Sequence, residues 1–560
     1  MTFDRRQFLR ALGGLALFVL AGTPALAAQR DGVASAHPLA TQAGEAVLAK
    51  GGNAFDAAVA VAATLAVVEP FSSGFGGGGF FLIHRASDGR DIMIDARETA
   101  PSAATRDMYI RENGEVDARA SLDGARAAAI PGLPAGIAHL AGKYGSLPLA
   151  GLIAPAIAYA EQGYQADGRY ASAAQWRESV LRSDPVAAST FLDAGKAPAK
   201  GFVVRQPRLA KTLRAFARGA EDGFYSGSVA RELVRAVRAA GGIWTEADLA
   251  NYRVLEREPH RIRYRGATIV TASLPSSGGL TLAQTLHILE RHDLAACTEP
   301  DRVHFVVESL RRGYQDRSRY LGDADFVSVP QAMLDSRSYA ERRAADIDPA
   351  RATPSAALDA GSRTREGDNT THFSVVDRWG NRVAATLSVN APFGAGMVAG
   401  ESGVLLNNEM NDFAISPAGG NLYGLTGMAA NSIAPGKRPL SSMSPTFVED
   451  DRGVLVFGTP GGSRIITMVL LGILEHLSKP DVDLARVVGV PRFHHQFLPD
   501  RIEIEPGQFP AAWVQSLAAK GHTVQEGKRR WGNMQAVFVD RITGEVTAEG
   551  DPRGKTGTLV

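Results

Sequence analysis

The chain has 560 residues, more than one ordinary hydrophobic core organises, and this length predicts two domains or one large multilayer domain. It is 45% hydrophobic and 21% charged, a balance typical of soluble globular proteins. The 60 Lys and Arg residues nearly equal the 59 Asp and Glu residues, so the charge indicates neither a nucleic-acid-binding nor an anionic-membrane-binding protein. The single cysteine, Cys297, excludes an intramolecular disulfide and a Cys-based metal site or redox pair.

The N-terminal residues 1–27 are interpreted as a targeting segment rather than as part of the fold. Arg5 and Arg6 begin a charged region, an apolar run follows over 11–21, and the small residues 25–27 offer a cleavage site. The apolar run is shorter than a membrane span requires. The sequence RRQFLR resembles the twin-arginine export signal, so a periplasmic protein is expected. An uncleaved N-terminal anchor is the alternative.

The first predicted element after this segment is a helix. Asn53 is expected to cap it, and the apolar stretch AAVAVAATLAVV, which has almost no polar face, predicts a buried helix that ends near Pro70. Gly74, Gly76 and Gly79 then match GxGxxG, the dinucleotide-binding pattern, but a helix precedes them and an apolar strand follows. Because that order is wrong for a dinucleotide site, close packing of backbone segments explains the glycines better.

The next elements lead from a strand into a mostly helical region. A strand in DIMIDARETAP is expected to end at Arg97. The middle of the chain, 131–339, is mostly helical by its pattern, with apolar residues at helical spacing over 229–240. Ser276 and Ser277 precede a further helix and are expected to cap it.

Residues 342–369 are rich in Ala, Asp, Arg, Ser and Pro and lack an apolar period, so they are predicted to form an exposed linker. A hairpin is predicted directly after this linker, with strands over 371–376 and 381–389. Further on, a strand over 453–457 runs into a Gly-Gly turn and a helix over 464–477. The mixture of helices and antiparallel hairpins favours an α+β fold in which helices cover sheets.

Several common catalytic motifs are missing from the sequence. It contains no GxSxG, HExxH, P-loop or paired-Cys motif. His494 and His495 are adjacent, and the sequence suggests no third ligand. Neither a metal nor another cofactor is therefore expected.

The central hypothesis is self-cleavage between Asn369 and Thr370, which would make Thr370 both a new N-terminus and the nucleophile. A Thr hydroxyl needs an adjacent base, and a free N-terminal amine, with a pKa of about 7.7–8.0, can serve as one. The same hydroxyl could first attack the Asn369 carbonyl and form an ester that water hydrolyses. The consecutive amides of Gly461 and Gly462 suit an oxyanion hole, because glycine lets a substrate approach the backbone. A Thr-Thr pair with a purely structural role in a strand is the alternative.

Several long motifs resemble the gamma-glutamyltransferase (glutathione hydrolase) family. In chain order they are GFGGGGF, DARETAP, YLGDADF, TTHFSVVDRWGN, ESGVLLNNEM, KRPLSSMSPT and TPGGSRI. The resemblance covers nearly the whole chain after residue 27. It implies an α+β N-terminal-nucleophile fold, a four-layer αββα sandwich with two subunits cut from one precursor. Residues 28–369 would form the large subunit and residues 370–560 the small catalytic subunit.

The resemblance also implies roles for individual residues. Thr370 is the implied nucleophile, which forms a γ-glutamyl ester, and the Ser388 hydroxyl contacts it. Gly461 and Gly462 are the implied oxyanion hole. The implied binding residues are Asn390, Glu409 and Asp412 for the α-ammonium group of the substrate, and Arg97, Ser441 and Ser442 for its α-carboxylate. The stretch 414–431 resembles the lid of the family, with Tyr423 as the gate.

Two positions depart from the family pattern. Ser388 stands where the family usually has Thr, and it keeps the hydroxyl. Asn411 stands where Asp is common. Its neutral side chain removes one negative charge beside the α-amino pocket, so weaker donor affinity is expected.

The resemblance predicts a transferase that passes the γ-glutamyl group of glutathione and related donors to water, amino acids or dipeptides, with no cofactor. Its predicted partners are these small molecules and the two subunits, without nucleic acid or a membrane anchor after signal removal. One alternative is a cephalosporin (glutaryl) acylase on the same scaffold, whose donor lacks an α-amino group and does not need the Arg97–Asp412 pair. A non-catalytic periplasmic binding protein is the other alternative.

Overall fold

The computed structural model describes residues 30–358, 370–415, 429–554 and 557–559. The predicted targeting segment, Asn369 and Tyr423 lie outside these described residues. Self-cleavage at Asn369 and a gate at Tyr423 therefore stay predictions.

Strands and helices are numbered in chain order over the described residues. The strands are β1 Gly32–Ser35, β2 Gly78–Arg85, β3 Arg90–Ala96, β4 Tyr164–Gln165, β5 Val203–Val204, β6 Leu255–Arg257, β7 His260–Tyr264, β8 Ala267–Thr271, β9 Thr371–Val376, β10 Arg382–Ser388, β11 Thr446–Glu449, β12 Gly453–Gly458, β13 Phe493–His494, β14 Ile502–Ile504, β15 Val524–Glu526, β16 Gln535–Asp540, β17 Val546–Gly550 and β18 Gly557–Leu559. The helices are α1 Pro38–Ala49, α2 Ala54–Val68, α3 Leu133–Lys143, α4 Leu149–Leu152, α5 Ala154–Gln162, α6 Gly168–Ser183, α7 Pro185–Phe191, α8 Pro207–Gly219, α9 Asp222–Tyr225, α10 Gly227–Ala239, α11 Glu246–Ala250, α12 Gly278–Leu289, α13 Glu299–Tyr320, α14 Gln331–Leu334, α15 Arg337–Ala344, α16 Arg464–Ser478, α17 Leu484–Gly489 and α18 Ala511–Ala519. None of these helices combines the length and the apolarity that crossing a bilayer requires.

Two antiparallel sheets form the centre of the described molecule. The first has the strand order β18-β1-β9-β10-β2-β3-β6, and the second has the order β17-β16-β12-β11-β8-β7. Helices pack on the outer face of each sheet, and the inner faces of the two sheets pack against each other. The layer order is therefore helix, sheet, sheet, helix, which confirms the predicted α+β four-layer αββα sandwich.

The alternation of side chains along the strands produces these layers. In β12, Leu455 and Phe457 pack against the outer helices of the second sheet. Val454 and Val456, which point the other way, pack between the two sheets. A strand whose two faces are both buried needs apolar residues at every position, and β12 has them.

Helix α2 is buried along its whole length, as its composition predicts. The Asn53 side chain accepts hydrogen bonds from the backbone N–H groups of Phe55 and Asp56, and Asp56 accepts one from the Asn53 N–H, a reciprocal capping box. The helix packs on β9 and β10, the predicted hairpin, whose existence and bounds the structure confirms within one residue.

The glycine run that begins β2 brings backbone segments into close contact. A Cβ atom on Gly76 would lie 2.0 Å from the Leu405 carbonyl oxygen, and one on Gly77 would lie 2.1 Å from the Ser388 carbonyl oxygen. Real side chains do not tolerate such distances, so these positions require glycine. Close backbone packing is thus confirmed as the explanation of this run.

Both sheets take strands from either side of the predicted cleavage point. In the first sheet, β1, β2, β3 and β6 precede residue 369, and β9, β10 and β18 follow it. Strand β9 is hydrogen-bonded to β1 on one side and to β10 on the other. The two predicted subunits therefore share one fold rather than forming separate domains.

The part of the predicted linker that the structure describes is mostly exposed, but it is anchored to the fold at several positions. Residues up to Ala344 belong to α15, and Ile347, Ala352 and Ser355 are buried. The Ser355 hydroxyl accepts a hydrogen bond from Arg311, a buried residue distant in sequence. The composition correctly showed polar residues, but it did not show that their partners lie inside the protein.

Candidate active site

The two threonines at the start of β9 have different environments. Thr371 is buried, and its hydroxyl donates to Glu69 Oε2 at 2.9 Å. Thr370 lines a cleft, and its Oγ1 lies 3.5 Å from Ser388 Oγ. Because Thr371 pairs with Leu387 across the hairpin, Thr370 lies beside Ser388 at the end of β10. Side chains alternate along a strand, so the first threonine faces the cleft and the second faces α2.

His372 follows the threonines, but its ring does not line the cleft. Its Nδ1 lies 2.8 Å from Thr386 Oγ1, and its Nε2 lies 3.2 Å from Ser374 Oγ. Burial lowers the pKa of His372 to about 3, so the ring is neutral at neutral pH. A Cβ atom on Gly458 of the second sheet would lie 2.4 Å from the ring. His372 is therefore a polar group packed between the sheets and is no candidate for the base.

The cleft beside Thr370 has an empty volume of about 330 Å³, and most of the predicted site residues line it. These residues are Arg97, Thr370, Ser388, Asn390, Glu409, Asp412, Ser441, Ser442 and Gly462. The lining is completed by Leu440, Met443, Ser463 and Ile465, which no sequence motif singled out as site residues. The fold thus brings together side chains from distant parts of the chain.

Arg97 is the cation of the cleft and is 1% exposed. Its Nη2 lies 2.6 Å from Asp412 Oδ2, and its Nη1 lies 2.7 Å from Glu409 Oε2. Its Nε donates to the Pro439 carbonyl oxygen at 3.2 Å. Burial opposes the charged guanidinium, but the surrounding carboxylates outweigh burial and raise the pKa of Arg97.

Around the Arg97 side chain, carboxyl groups outnumber guanidinium groups. Glu98 Oε2 lies 3.5 Å from Arg97 Nη1, so Glu98, Glu409 and Asp412 share one close guanidinium. Burial raises the pKa of Glu98, and it raises the pKa of Glu409 well above its usual value, although Arg97 lowers both. Burial thus favours the neutral forms of these two carboxyls, and a cationic group that enters the cleft would favour their charged forms. An ammonium group is such a cation.

Asn411 does not face this cluster. Its side-chain amide donates to Ser121 Oγ at 2.8 Å, and it is not among the residues that line the cleft. The neutral Asn therefore joins two segments of the fold. This position differs from the expected one beside the α-amino pocket, because the short 3₁₀ helix Glu409–Asp412 turns neighbouring side chains in different directions.

Ser441 and Ser442 are held by the loop before α12. The Ser277 hydroxyl donates to the Ser441 carbonyl oxygen at 2.6 Å, and the Ser276 hydroxyl donates to the Met443 carbonyl oxygen at 2.6 Å. Ser276 also accepts a hydrogen bond from the Gly278 N–H, but Ser277 makes no side-chain cap. The prediction that both serines cap α12 is therefore wrong for Ser277, because its hydroxyl serves the tertiary contact instead.

Gly461 and Gly462 form the turn between β12 and α16. Gly461 has φ 140° and Gly462 has φ 57°, conformations that favour glycine. Neither amide N–H donates a hydrogen bond to any other described residue. The helix dipole of α16 adds a partial positive charge at this turn. These two amides are thus available to an oxyanion, which is the role that the sequence analysis predicts for them.

A second cleft, with an empty volume of about 920 Å³, also has Thr370 in its wall. Gly461 lines this cleft rather than the smaller one. Arg169, Arg529 and Arg530 line it as well, so it carries positive charge. Thr370 therefore borders two clefts of different charge.

One buried cluster outside the clefts has the residue types of a metal site. Ligand atoms of His304, Glu308 and His522 lie within 4.8 Å of one another. Arg312 Nη1 lies 2.6 Å from Glu308 Oε2, and Arg311 Nε lies 3.3 Å from Glu308 Oε1. Two guanidinium groups beside the only carboxylate of the cluster oppose a second cation. The cluster instead anchors the segment that leads toward residue 358, since Glu308 and the neighbouring Arg311 form hydrogen bonds with that segment.

The sequence patterns missed two charged residues at the site. Glu98 directly follows Arg97 in DARETAP, so its proximity could have been noticed. Arg317 lies a few residues before the YLGDADF motif, and its Nη2 donates to Ser442 Oγ at 3.3 Å. Asp323, within that motif, accepts a hydrogen bond from the Arg438 N–H at 2.9 Å and so holds the segment that carries the serine pair.

The αββα sandwich, in which Thr370 directly precedes a strand of one central sheet, defines the class of N-terminal-nucleophile hydrolases. The chain belongs to the gamma-glutamyltranspeptidase family, whose model matches residues 40–560. It is 41% identical over 531 residues to the glutathione hydrolase proenzyme of Escherichia coli strain K12, a match that covers 94% of this chain and 91% of the relative.

Acylases are also among its relatives. The chain is 36% identical to the acylase ACY 1 proenzyme of Pseudomonas sp. strain SE83, covering 95% of this chain and 94% of the relative. The crystal structure of cephalosporin acylase from Bacillus halodurans superposes with a TM-score of 0.82 at 28% identity, covering 95% of this chain and 96% of that one. The fold alone therefore does not distinguish a transferase from an acylase. The distinction depends on the side chains that line the cleft.

Proposed function

We propose that this protein is a γ-glutamyltransferase and glutathione hydrolase that matures by cutting itself before Thr370. The family model and the named activity of the E. coli relative support this proposal. The observation that carries it is the Arg97–Glu409–Asp412 cluster in the same cleft as Thr370. A γ-glutamyl donor has an α-carboxylate and an α-ammonium group, and one guanidinium with excess carboxylates complements both.

In the maturation step, Thr370 Oγ1 attacks the Asn369 carbonyl carbon. The bond between that carbon and the Thr370 nitrogen breaks, and the nitrogen takes up the hydroxyl proton. Water then hydrolyses the resulting ester, which restores the hydroxyl and leaves a free α-amine on Thr370. The names of the E. coli and Pseudomonas relatives, which are proenzymes, support a precursor for this chain as well.

In the catalytic step, the Thr370 amine accepts the hydroxyl proton while Oγ1 attacks the γ-carbonyl carbon of the donor. The amides of Gly461 and Gly462 stabilise the oxyanion that develops on the carbonyl oxygen. The leaving amine takes the proton from the Thr370 ammonium, and a γ-glutamyl ester remains. Water or an acceptor amine then attacks this ester by the reverse sequence and regenerates the hydroxyl. The larger, positively charged cleft suits a leaving group or acceptor that carries a carboxylate.

The glutaryl acylase alternative is less well supported by the cleft. A glutaryl donor has a carboxylate where the γ-glutamyl donor has both an ammonium and a carboxylate. Without the ammonium group, the excess charge of Glu98, Glu409 and Asp412 would face only further negative charge. The cluster therefore favours the γ-glutamyl donor.

The cellular location belongs to the same proposal. The twin arginine at residues 5–6 and the apolar run that follows support export to the periplasm and removal of the signal after residue 27. Cell fractionation and N-terminal sequencing of the exported protein test this part. A mature chain that begins at Met1 would contradict removal of the signal.

The function is tested by intact-mass spectrometry together with two anilide substrates. We expect two fragments, the smaller of which begins at Thr370, and hydrolysis of γ-glutamyl-p-nitroanilide well above that of glutaryl-p-nitroanilide. The Thr370→Ala variant should remain a single chain and hydrolyse neither. Faster hydrolysis of the glutaryl substrate would favour the acylase, and an uncut, inactive wild-type chain would contradict both activities.

A further inference from the structure

Arg317, on α13, is a buried guanidinium behind the serine pair. It is 4% exposed, its Nε donates to Ser277 Oγ at 2.9 Å, and its Nη2 donates to Ser442 Oγ at 3.3 Å. Within the described parts of the chain, no carboxylate lies within ion-pair distance of it, and Asp412 interacts with it only from farther away. Its hydrogen-bond partners are therefore neutral hydroxyl groups, one of which, Ser442, lines the cleft.

Other buried arginines of the protein have close counter-ions. Arg97 pairs with Asp412, Arg312 with Glu308, and Arg492 with Asp551. A buried charge without a close counter-ion is unfavourable, because the group loses its hydration and gains little attraction in return. Burial lowers the pKa of Arg317 to about 10, which reflects this cost. A bound anion in the cleft is the partner that would offset it.

The hydrogen bonds decide which way the Ser442 hydroxyl points. A guanidinium only donates, so Ser442 Oγ accepts from Arg317 and its own hydrogen stays available. Among the described residues, the Ser442 hydroxyl donates to no acceptor. A donor hydroxyl in the wall of the cleft suits a carboxylate and not an ammonium group. The interaction with a cation also strengthens the hydroxyl as a donor.

We infer that Arg317 is a positioning residue for the donor's α-carboxylate: it orients the Ser442 hydroxyl toward that group and places a second positive charge behind it. This inference rests on the proposed function, because it assumes a donor with an α-carboxylate. It also explains how the cleft holds a carboxylate while Arg97 is engaged by Glu409 and Asp412. Arg317 does not line the cleft, so its effect passes through Ser442.

The test compares two anilide substrates that differ by one group. γ-Glutamyl-p-nitroanilide has the α-carboxylate, and 4-aminobutyryl-p-nitroanilide has the amine without it. In Arg317→Met, we expect kcat/KM to fall by roughly tenfold or more for the first substrate, mainly through KM, and by less than about twofold for the second. An equal loss on both substrates would overturn the inference, because a purely structural role does not distinguish them.

Three further variants keep the test decisive. Arg317→Lys should retain more of the preference for the carboxylate donor than Arg317→Met, since it keeps the charge. Arg317→Met should lower kcat/KM less in the Ser442→Ala background than in the wild type, because the hydroxyl through which Arg317 acts is gone. Arg312→Met removes another buried arginine of α13, away from the cleft, and should leave the substrate preference unchanged.

If Arg317→Met does not fold, Arg317→Gln decides the matter, because the neutral amide can still donate to both serines. A lowered preference for the carboxylate donor supports the inference, and an unchanged preference overturns the part of it that assigns a role to the second positive charge. The proposed function fails separately: a wild-type protein that hydrolyses no γ-glutamyl donor contradicts that function. An active wild type with an equal loss in Arg317→Met contradicts only the role of Arg317.

Discussion

The charge of Glu409 decides how strongly the cleft attracts an ammonium group. This carboxyl is buried beside Arg97, and burial raises its pKa well above the usual value. Above that pKa the group is negative and attracts the α-ammonium of a donor. As the pH falls through the raised pKa, the carboxyl becomes neutral and the attraction is lost. The KM for a γ-glutamyl donor should therefore rise as the pH falls.

The Glu409→Gln variant tests this reasoning. We expect its KM for γ-glutamyl-p-nitroanilide to be roughly tenfold higher than that of the wild type at pH values above the raised pKa of Glu409, where the wild-type carboxyl is charged. Its KM should also vary less with pH than that of the wild type, as measured by initial rates across the acidic range. Glu401→Gln is the matched control, since Glu401 pairs with Arg208 at the surface. A pH profile identical to the wild type would contradict the role of Glu409.

Thr370 and Thr371, at the start of β9, offer a second test on single residues. Thr371→Val keeps the shape of the side chain but removes the hydrogen bond to buried Glu69. We expect a loss of about 1–3 kcal/mol in the free energy of unfolding, because a buried carboxyl loses a donor. Self-cleavage should persist, whereas Thr370→Ala should abolish it. Denaturing gels and thermal unfolding measure the two effects; a folded but uncut Thr371→Val protein would argue against Thr370 as the nucleophile.

Among the elements, the start of β2 controls the position of the end of β10. Gly77 lies so close to the Ser388 carbonyl oxygen that a Cβ atom would approach it to 2.1 Å. Since Ser388 lies next to Thr370, a shift of this backbone also moves the contact between the two hydroxyls. The glycine run thus serves the geometry of the cleft as well as the packing of the sheet.

Gly77→Ala should therefore lower both stability and activity. We expect a loss of about 1–3 kcal/mol in the free energy of unfolding, as overpacked sites show, together with a reduced kcat. Gly142→Ala is the control, because Gly142 lies in α3 and a Cβ atom there meets nothing within 4 Å. In the last turn of a helix that exchange should be neutral or stabilising by at most about 0.5–1 kcal/mol. Equal effects of the two exchanges would contradict the close-packing argument.

For the whole molecule, the shared sheets predict what happens after cleavage. Strand β9 pairs with β1, and β11 pairs with β8, so each sheet joins strands from both sides of residue 369. Separating the fragments would expose the apolar layer between the sheets and break these ladders. We expect the cut protein to elute as one particle in size-exclusion chromatography and to separate only in denaturant. Fragments that elute independently without denaturant would show that the sheets do not hold them together.

Local patterns in the sequence predicted much of the fold. The alternation in 371–376 and 381–389 predicted a hairpin, and the apolar stretch before Pro70 predicted the buried helix α2. These predictions were right because they rest on local sequence: an apolar stretch without a polar face has to be buried, and strand-forming residues on both sides of a turn form a hairpin. The linker prediction was right about exposure for most of 342–358, but it missed the hydrogen bonds to buried Glu308 and Arg311, which no local pattern reveals.

By itself, the sequence determined the kinds of element, the glycine positions that need close backbone packing, and, through its long motifs, the family. Only the tertiary structure decided which of two adjacent threonines faces the cleft, that Asn411 turns to Ser121, and that Arg317 lies behind Ser442. These facts depend on strand register, on the turn of a short helix and on contacts between residues up to hundreds of positions apart. Local propensity and composition contain no information about these long-range contacts, because the contacts form only when the layers pack.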